Sequence, residues 1–390
     1  MAHGLPVALN RRRGFRWQAV ALAGLWAAAC GPQRPAPSLV PVPEDSAIET
    51  SVFLIGDAGE PGPDEPVLRA LARLASTAPT RRLIVFLGDN LYPSGLPAPE
   101  AKDYAEASGR LLAQIAVGIG TGTPTVFIPG NHDWGRMGRD GWNAIRRQSA
   151  FIDSVGAPLV RMYPAGGCPG PVVRDPGPRL RLVFLDTQWW VHEFAKPVGG
   201  SGCPTDTPDQ IADSLAAALA NAGDRVVIVA GHHPLESVAE HGGYYGLTAH
   251  LFPLRRLAPW LWIPLPIVGS YDKVLRKGGA TNQDVSGPLY QELRDGLEQV
   301  FRIYRPLVYA SGHDHNLQVL KLDGVHYQLV SGAGIFGHEG PAGYRDYTLY
   351  ASARAGFMRI DLLRDGRTRL GVLEVGEDGE AVEGFAMYLD

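Results

Sequence analysis

Five short apolar runs of this sequence are each followed by a glycine-containing turn whose side chains suit metal ions. The runs are 51–55, 83–87, 125–128, 225–229 and 306–310, and their turns supply Asp57, Asp89, Tyr92, Asn131, His232, His313 and His315. Carboxylate, phenolate and amide oxygens suit hard cations, and imidazoles suit Fe, Zn or Mn, so the mixture favours a pair of transition metals. Two ions about 3.5–4 Å apart, with one carboxylate between them, form the geometry used for in-line displacement at phosphorus.

Any one of these turns, taken singly, has a simpler interpretation. A Gly-Asp or paired-His turn after a strand is more often an ordinary turn or a satisfied polar group than a functional site. Five turns in series, all with oxygen or imidazole donors at the ends of apolar runs, are not explained as five independent turns. The sequence therefore predicts a metal centre.

The apolar runs are typical of β-strands that are buried on both faces, because they are nearly all apolar rather than alternating. Helical stretches lie between them at 66–75, 104–115, 208–222 and 288–304. This order predicts an α/β fold with helices outside a sheet. Such sheets bind ligands beyond the carboxyl ends of their strands, which is where the donors stand.

The five turns together resemble those of the calcineurin-type metallophosphoesterases, and more narrowly those of the purple acid phosphatases, especially the small tartrate-resistant enzymes. Gly59 stands where the superfamily usually has His, and Tyr92 follows Asp89 by three residues. Both are features of the purple branch, in which a tyrosinate binds the ferric ion. The similarity extends to 230–232, 239–242, 312–318 and 331–334, and covers about residues 50–390 apart from an insertion.

The resemblance implies a four-layer α/β/β/α sandwich of two mixed sheets flanked by helices, in the α/β (α+β) class. The segment 325–390 has alternating strand character and Asp-Gly turns at 365–366 and 378–379. We therefore expect it to complete the second sheet rather than to form a domain of its own.

The resemblance also implies which residue holds which ion. It assigns Fe(III) to Asp57, Asp89, Tyr92 and His315, and a divalent Fe, Zn or Mn ion to Asp89, Asn131, His232 and His313, with Asp89 bridging. His132 and His241 match the family histidines that contact the phosphate and the leaving group. His233 stands at a position that is often aromatic in the family, and it receives no ligand role.

The function that the resemblance implies is acid phosphatase activity on phosphate monoesters. Two metal ions lower the pKa of a bound water, so that a metal-bound hydroxide can attack the phosphoryl group in line. The leaving alkoxide needs a proton, and His241 or His132 is the expected donor. Among enzymes, the alternative is a phosphodiesterase or nucleotidase on the same metals. Outside the enzymes, the alternative is a non-catalytic surface lipoprotein. The presence of all seven predicted ligands argues against it.

The start of the chain has the features of an export signal. Four Arg within 11–16 precede an apolar run at 19–29 that ends in small residues before Cys30. This pattern predicts a signal peptide at 1–29. Residues 27–30 (Ala-Ala-Ala-Cys) resemble a bacterial lipobox, which implies a lipid anchor at Cys30, with simple cleavage after Ala29 as the alternative. A Pro-rich flexible tether at 30–46 and the phosphoesterase domain at 47–390 follow. We therefore expect an exported bacterial protein, periplasmic or anchored at the outer membrane.

Composition excludes one class of partner. The formal charge is −4, and the predicted signal holds four Arg and no acidic residue, so the mature chain carries −8. This charge does not suit nucleic-acid binding, and a small phosphorylated substrate is the expected partner. Three Cys are too few for a disulfide framework, although Cys168 and Cys203 could pair in an oxidising compartment.

An insertion at about 250–285 distinguishes the chain from the compact enzymes that it resembles. It contains a Trp-rich run at 257–268 that has three Pro and lies near several Arg and Lys residues. The prolines exclude a regular helix through the run, and twelve residues are too few to span a membrane. Trp and basic residues together favour contact with a bilayer interface. A lid over the metals and a loop packed on the protein's own core are the alternatives.

Overall fold

A computed structural model describes Met1 and residues 38–79, 81–256 and 260–390. Within these ranges the chain forms two β-sheets with helices packed against them. The predicted signal peptide after Met1, the predicted anchor Cys30 and the first part of the predicted tether lie outside the described residues, as do residues 257–259 of the Trp-rich run.

Strands and helices alternate along most of the described chain. The strands are β1 Ile48–Ile55, β2 Arg82–Phe86, β3 Thr125–Phe127, β4 Val160–Met162, β5 Val172–Gly177, β6 Leu180–Phe184, β7 Val226–Ala230, β8 Val308–Ser311, β9 Leu317–Leu320, β10 Tyr327–Ser331, β11 Thr348–Ser352, β12 Gly356–Leu363, β13 Thr368–Val375 and β14 Ala381–Leu389. The helices are α1 Pro66–Thr77, α2 Tyr104–Thr121, α3 Gly141–Gly156, α4 Gln188–Val191, α5 Pro208–Ala220, α6 Leu247–Leu251, α7 Pro266–Lys277 and α8 Pro288–Tyr304.

Each sheet has seven strands and mixes parallel with antiparallel pairs. The first is ordered β14-β13-β12-β1-β2-β3-β4, parallel from β1 to β4 and antiparallel from β1 outward to β14. The second is ordered β11-β9-β10-β8-β7-β6-β5, and its β6, β7, β8 and β10 are parallel. The strands that precede the predicted donors are thus the parallel central strands of both sheets.

Neighbouring residues of the central strands pack in opposite directions. In β1, Val52 lies in a cluster between the sheets together with Ile228 of β7. The next residue, Phe53, faces outward and lies in a cluster that contains Leu71 of α1. Both faces of the strand are therefore covered, which explains why its sequence is continuously apolar. The result is a four-layer α/β/β/α sandwich, and it confirms the predicted fold class.

Helix starts follow local signals in the sequence. Helices α1 and α5 both begin with proline, whose missing N–H would have no partner at that position. The preceding Glu65 and Thr207 accept the N–H groups of Val67 and Gln210 and so cap the two helices. In the described part of the chain, no helix is both long and apolar enough to cross a membrane.

The predicted insertion forms α6, a short 3-10 turn at Pro253–Arg256, and α7. Helix α7 begins at Pro266, the third proline of the Trp-rich run, and residues 260–265 before it are not helical. The prolines therefore delay the helix, in agreement with the expectation that the run is not a regular helix.

The C-terminal segment divides between the sheets, which differs from the expectation that it completes the second. Strands β10 and β11 belong to the second sheet, whereas β12, β13 and β14 extend the first. The two Asp-Gly turns join β12 to β13 and β13 to β14, where turns were predicted. The physical reason is that β1 would otherwise be an edge strand, and β12 pairs with it from Leu363 opposite Ile48 to Met358 opposite Leu54.

Two links fix segments that lie outside the regular elements. The Ala386 N–H of β14 donates to the Ser38 carbonyl at 2.7 Å, so the end of the predicted tether lies against the first sheet. Cys168 and Cys203, the two cysteines that could pair by sequence, form a disulfide. It joins the loop after β4 to the loop before α5.

Candidate metal centre

The predicted donors converge at the carboxyl ends of the central strands of both sheets. Asp57 follows β1, Asp89 and Tyr92 follow β2, and Asn131 follows β3 in the first sheet, while His232 follows β7, and His313 and His315 follow β8 in the second. All of them except His315 are buried. The two sheets therefore contribute to one cluster, which brings all seven predicted ligands together.

One group of donors surrounds the Tyr92 hydroxyl. Tyr92 Oη lies 3.1 Å from Asp57 Oδ1, 3.3 Å from Asp89 Oδ2 and 3.0 Å from His315 Nε2. His315 Nε2 is also 3.5 Å from Asp57 Oδ1. These four residues are the set that the family resemblance assigns to Fe(III), and they form a group of oxygen donors with one nitrogen.

A second group surrounds the Asn131 side chain. Asn131 Oδ1 lies 3.0 Å from His232 Nε2 and 3.0 Å from His313 Nδ1, and these two nitrogens are 3.3 Å apart. Asp89 Oδ1 lies 3.5 Å from His232 Nε2. Because its other oxygen faces Tyr92, Asp89 stands between the two groups, as a bridging carboxylate must.

Backbone carbonyls determine which nitrogen of each imidazole faces the cluster. His232 Nδ1 lies 2.8 Å from Leu87 O, His313 Nε2 lies 2.8 Å from Gln283 O, and His315 Nδ1 lies 3.3 Å from His338 O. A carbonyl only accepts, so in the neutral ring the nitrogen beside it carries the hydrogen. In its neutral form, each ring then presents its unprotonated nitrogen to the cluster, and this is the form that binds a metal ion.

The backbone at the donors is strained and closely packed. Asp57, Asp89 and His313 have φ angles of 57°, 51° and 72°, in the left-handed region. That region costs about 1–2 kcal/mol for a residue other than glycine, and such strain is concentrated at functional sites. A Cβ atom on Gly130 or Gly312 would collide with the carboxylate of Asp89 or Asp57, respectively. These turns therefore need glycine because the carboxylates lie directly against the backbone.

The charges of the cluster fit a cation. Burial, together with neighbouring Asp89, raises the pKa of Asp57 well above its usual value, although His232 opposes the rise. Burial beside Asp57 and Asp89 likewise raises the pKa of Tyr92. Burial alone would lower the pKa of His232, but the two carboxylates raise it to about 9. All three shifts reflect negative charge held away from water, and a multivalent cation stabilises such a cluster. Asp57, Asp89 and His232 each offer a donor atom, all within 4.8 Å of one another.

Gly59 has no room for a side chain, because the turn after β2 packs directly against it. A Cβ atom on Gly59 would lie 2.5 Å from Leu91 N and 2.6 Å from Asp89 O. The Tyr92 N–H donates to the Gly59 carbonyl at 3.0 Å, so the turns after β1 and β2 are held together. A side chain at position 59, including the His that the resemblance to the wider superfamily would lead one to expect there, does not fit this backbone.

The two predicted catalytic histidines lie at the rim of the cluster. His132 Nε2 is 3.9 Å from Asp89 Oδ2, and its Nδ1 is 2.7 Å from the Pro93 carbonyl. The His241 ring lies 4.0 Å from the His313 ring, between centroids. Their side chains are 22% and 26% exposed. Both histidines therefore face the donors on one side and solvent on the other.

Two residues at the end of the insertion, Gln283 and Asp284, contact the site and were not predicted from the sequence. Asp284 Oδ1 lies 2.9 Å from His241 Nδ1, and Arg276 donates to both oxygens of Asp284. Burial would raise the pKa of Asp284, but the hydrogen bonds from Arg276 and His241 outweigh burial and lower it. The polar stretch at 281–284, directly after the basic part of the insertion, is the signal that could have pointed to these residues.

His233 is buried beside the cluster with both ring nitrogens already engaged. Its Nδ1 lies 2.8 Å from Thr187 Oγ1, and its Nε2 lies 3.1 Å from Gln283 Oε1. The ring lies 4.6 Å from the His313 ring, between centroids. His233 therefore supports a predicted ligand through packing and has no nitrogen turned toward the donors.

Replacing Gly59 by alanine is expected to lower stability and metal content together, because the added methyl must push the turn at 89–91 away from the cluster. We expect a loss of about 1–3 kcal/mol in the free energy of unfolding. Urea denaturation measures the stability, and elemental mass spectrometry measures the bound metal. Gly62→Ala is the matched control, because a Cβ there meets nothing within 4 Å. If G59A keeps both its stability and its metal, the packing argument is wrong.

Several solved structures share this fold. GAP50, the anchor in the inner membrane complex of Plasmodium, is 15% identical, with 88% of this chain and 89% of that chain covered and a TM-score of 0.52. The purple acid phosphatase PPD1 from yellow lupin (Lupinus luteus) seeds is 15% identical, with 90% of this chain but only 55% of the lupin chain covered and a TM-score of 0.51. PhoD is 12% identical, with 91% and 71% covered and a TM-score of 0.52. At these identities the likeness concerns the fold alone.

The amino-acid sequence itself matches one family. No curated protein matches the chain. The family Metallophos, calcineurin-like phosphoesterase, matches residues 50–317, a range that contains all seven predicted metal ligands. Because this match covers more than half of the 390 residues, the chain belongs to the calcineurin-like phosphoesterase family.

Proposed function

We propose that this protein is a dinuclear-metal acid phosphatase of the purple acid type, which hydrolyses phosphate monoesters. The observation that carries the proposal is the position of the Tyr92 hydroxyl, within 3.3 Å of the carboxylates of Asp57 and Asp89. A phenolate oxygen among carboxylates suits a hard trivalent ion such as Fe(III). Membership of the family supports phosphoester hydrolysis in general, and Tyr92 supports the finer assignment.

In this proposal the seven donors hold two ions. Fe(III) is assigned to Asp57, Asp89, Tyr92 and His315, and a divalent Fe, Zn or Mn ion to Asp89, Asn131, His232 and His313. Bound ions of this kind lower the pKa of water and neutralise a phosphoryl group. A cavity of about 220 Å³ opens beside His241, His313 and His315, and it offers the phosphate monoester a way in.

The chain's own contribution is to position the phosphate and to move a proton. The Asp284 carboxylate holds His241 through Nδ1, so the other nitrogen, Nε2, is available to protonate the leaving oxygen. The Pro93 carbonyl fixes His132 in the same way, with its Nε2 on the side of Asp89. We assign proton donation to His241 and phosphate contact to His132.

The proposal extends to location. The N-terminal pattern supports export through a signal at 1–29 and a lipid anchor at Cys30, in the periplasm or at the outer membrane of a bacterium. An anchored enzyme of this kind would work close to a bilayer, so the surface of the insertion becomes relevant.

Helix α7 of the insertion exposes apolar side chains and buries a charged one, and this supports contact with the bilayer. Its Lys273 is only 1% exposed, whereas Ile267 is 85% and Val274 65% exposed. Trp260 and Trp262, just before the helix, are exposed as well. An ordinary surface helix buries its apolar face, whereas Trp and aliphatic side chains on an outer face suit a membrane interface.

The purified protein is expected to be purple, from charge transfer between tyrosinate and Fe(III), and Tyr92→Phe is expected to remove the visible band. Visible absorption together with iron analysis measures this. Tyr327→Phe is the control, because Tyr327 is buried in β10 and bonds Asp390 rather than a donor. An active enzyme that is colourless and free of iron would reject the ferric assignment.

The metal-loaded protein is expected to hydrolyse p-nitrophenyl phosphate with a kcat/KM at least about tenfold above that for bis(p-nitrophenyl) phosphate. One reason is that the second aryl group of the diester must also fit into a cavity of about 220 Å³. The other is that a diester has one fewer charged phosphate oxygen for the ions to bind. A strong preference for the diester would favour a phosphodiesterase instead. No hydrolysis of either compound would favour the non-catalytic lipoprotein.

Protein carrying Cys30→Ser is expected to associate with vesicles of phosphatidylethanolamine and phosphatidylglycerol through α7 alone. Ile267→Asp with Val274→Asp, added to C30S, should abolish this association, because both charges would enter the interface. Vesicle co-sedimentation measures it. Val382→Asp on β14, 67% exposed and also apolar, is the control. Failure of the C30S protein to sediment with vesicles would contradict the contact.

A further inference from the structure

A second cavity, of about 360 Å³, adjoins the proposed active site and shares His241 with it. Its lining includes four cationic side chains, Arg276, Lys277, Arg294 and Arg345, but only one carboxylate, that of Asp284. A cavity in which cations outnumber carboxylates four to one is unexpected in a chain with a net negative charge. The sequence did not predict the cavity, because its residues come from four separate segments: the loop after β7, the insertion, α8 and the loop before β11.

Two of the four cations, Arg294 and Arg276, already have carboxylate partners. Arg294 pairs with Glu236 at 2.7 Å and with Glu298 at 3.1 Å. Lys277 and Arg345 are exposed, and among the described residues neither makes an ion pair with a carboxylate; Lys277 Nζ lies 5.9 Å from the centroid of the Tyr245 ring, which also lines the cavity. Their charges are therefore available to a ligand in the cavity.

Arg276 supplies a second and independent observation. Its side chain is only 8% exposed, and two of its nitrogens, Nε and Nη2, bond Asp284. The third nitrogen, Nη1, is buried without a hydrogen-bond partner among the described residues, and Glu240 Oε2 lies 3.8 Å away. A buried guanidinium donor without a hydrogen-bond acceptor is unfavourable, and the Glu240 carboxylate approaches it only to 3.8 Å, so the Arg276 side of the cavity favours a nearby anion.

We propose that this cavity is the subsite for an anionic leaving group, so that the enzyme acts on phosphate monoesters whose alcohol carries a carboxylate or a second phosphate. The inference rests on the proposed phosphomonoesterase function and names its substrate class. His241 lines both cavities, and it is the proposed proton donor to the leaving oxygen. A substrate with its reacting phosphate at the seven donors therefore directs its alcohol past His241 toward Lys277 and Arg345.

Steady-state kinetics on a matched pair of substrates tests the subsite. Glycerol 3-phosphate and 3-phosphoglycerate differ in whether the alcohol ends in a hydroxyl or a carboxylate. We expect wild-type kcat/KM to be at least about tenfold higher for 3-phosphoglycerate, since charge-assisted hydrogen bonds are the strong ones. Lys277→Gln with Arg345→Gln should bring this ratio close to one. Arg302→Gln with Arg305→Gln removes two exposed cations that do not line the cavity, and it should keep the ratio.

A binding measurement gives a readout that does not depend on turnover. Propylphosphonate and 3-phosphonopropionate are not hydrolysed and differ in the terminal carboxylate. Calorimetry on the metal-loaded protein should show binding about tenfold tighter for 3-phosphonopropionate, and the K277Q/R345Q protein should lose this difference.

The outcomes separate the subsite from the function on which it rests. If p-nitrophenyl phosphate is hydrolysed but both members of each pair behave alike, the subsite is wrong and the phosphatase proposal stands. If p-nitrophenyl phosphate is not hydrolysed, the phosphatase proposal fails, and the phosphonate pair still decides whether the cavity binds an anion. If free sulfate stimulates glycerol 3-phosphate turnover in wild type but not in K277Q/R345Q, the cavity holds an effector anion, which overturns the leaving-group role.

Discussion

The metal centre depends on close contact between the carboxyl edges of two sheets. The His313 N–H of the second sheet donates to Asp57 Oδ2 of the first at 2.8 Å, and the Gly56 N–H donates to the Ser331 carbonyl at 2.7 Å. The contact requires Gly312, because a Cβ there would occupy the place of the Asp57 carboxylate. Oxygen donors from one sheet and imidazoles from the other therefore share one buried site, which neither sheet supplies alone.

Buried polar groups next to the donors make this arrangement rigid. Asp133 accepts the Gly130 N–H at 2.8 Å and the Asn90 N–H at 2.9 Å, so the turn after β3 is fixed to the turn after β2. Gln148 of α3 donates to the same carboxylate at 2.8 Å and ties the helix to both turns. A donor set held in this way loses little conformational freedom when an ion binds, and its geometry is prepared before binding.

The insertion links this buried site to the surface. On its inner side, Gln283 orients the His313 ring, and Asp284 orients His241. On its outer side, α7 exposes Ile267 and buries Lys273. Arg276 lies between these two sides, since it belongs to α7 and bonds Asp284. The segment predicted as an insertion is thus the one that connects the proposed proton donor, the basic cavity and the proposed membrane face.

The amino-acid sequence by itself predicted strands buried beneath helices and the chemical types of the seven candidate ligands, because buried strands and the polar turns after them are local patterns. The resemblance to a family added the four-layer arrangement. Only the tertiary structure decided the partner of β1, since Ile48 pairs with Leu363, more than 300 residues away. It likewise decided that Asp284 meets His241, because that contact depends on how the insertion folds back. Local pattern therefore fixes which atoms are available, and long-range packing fixes which of them face one another.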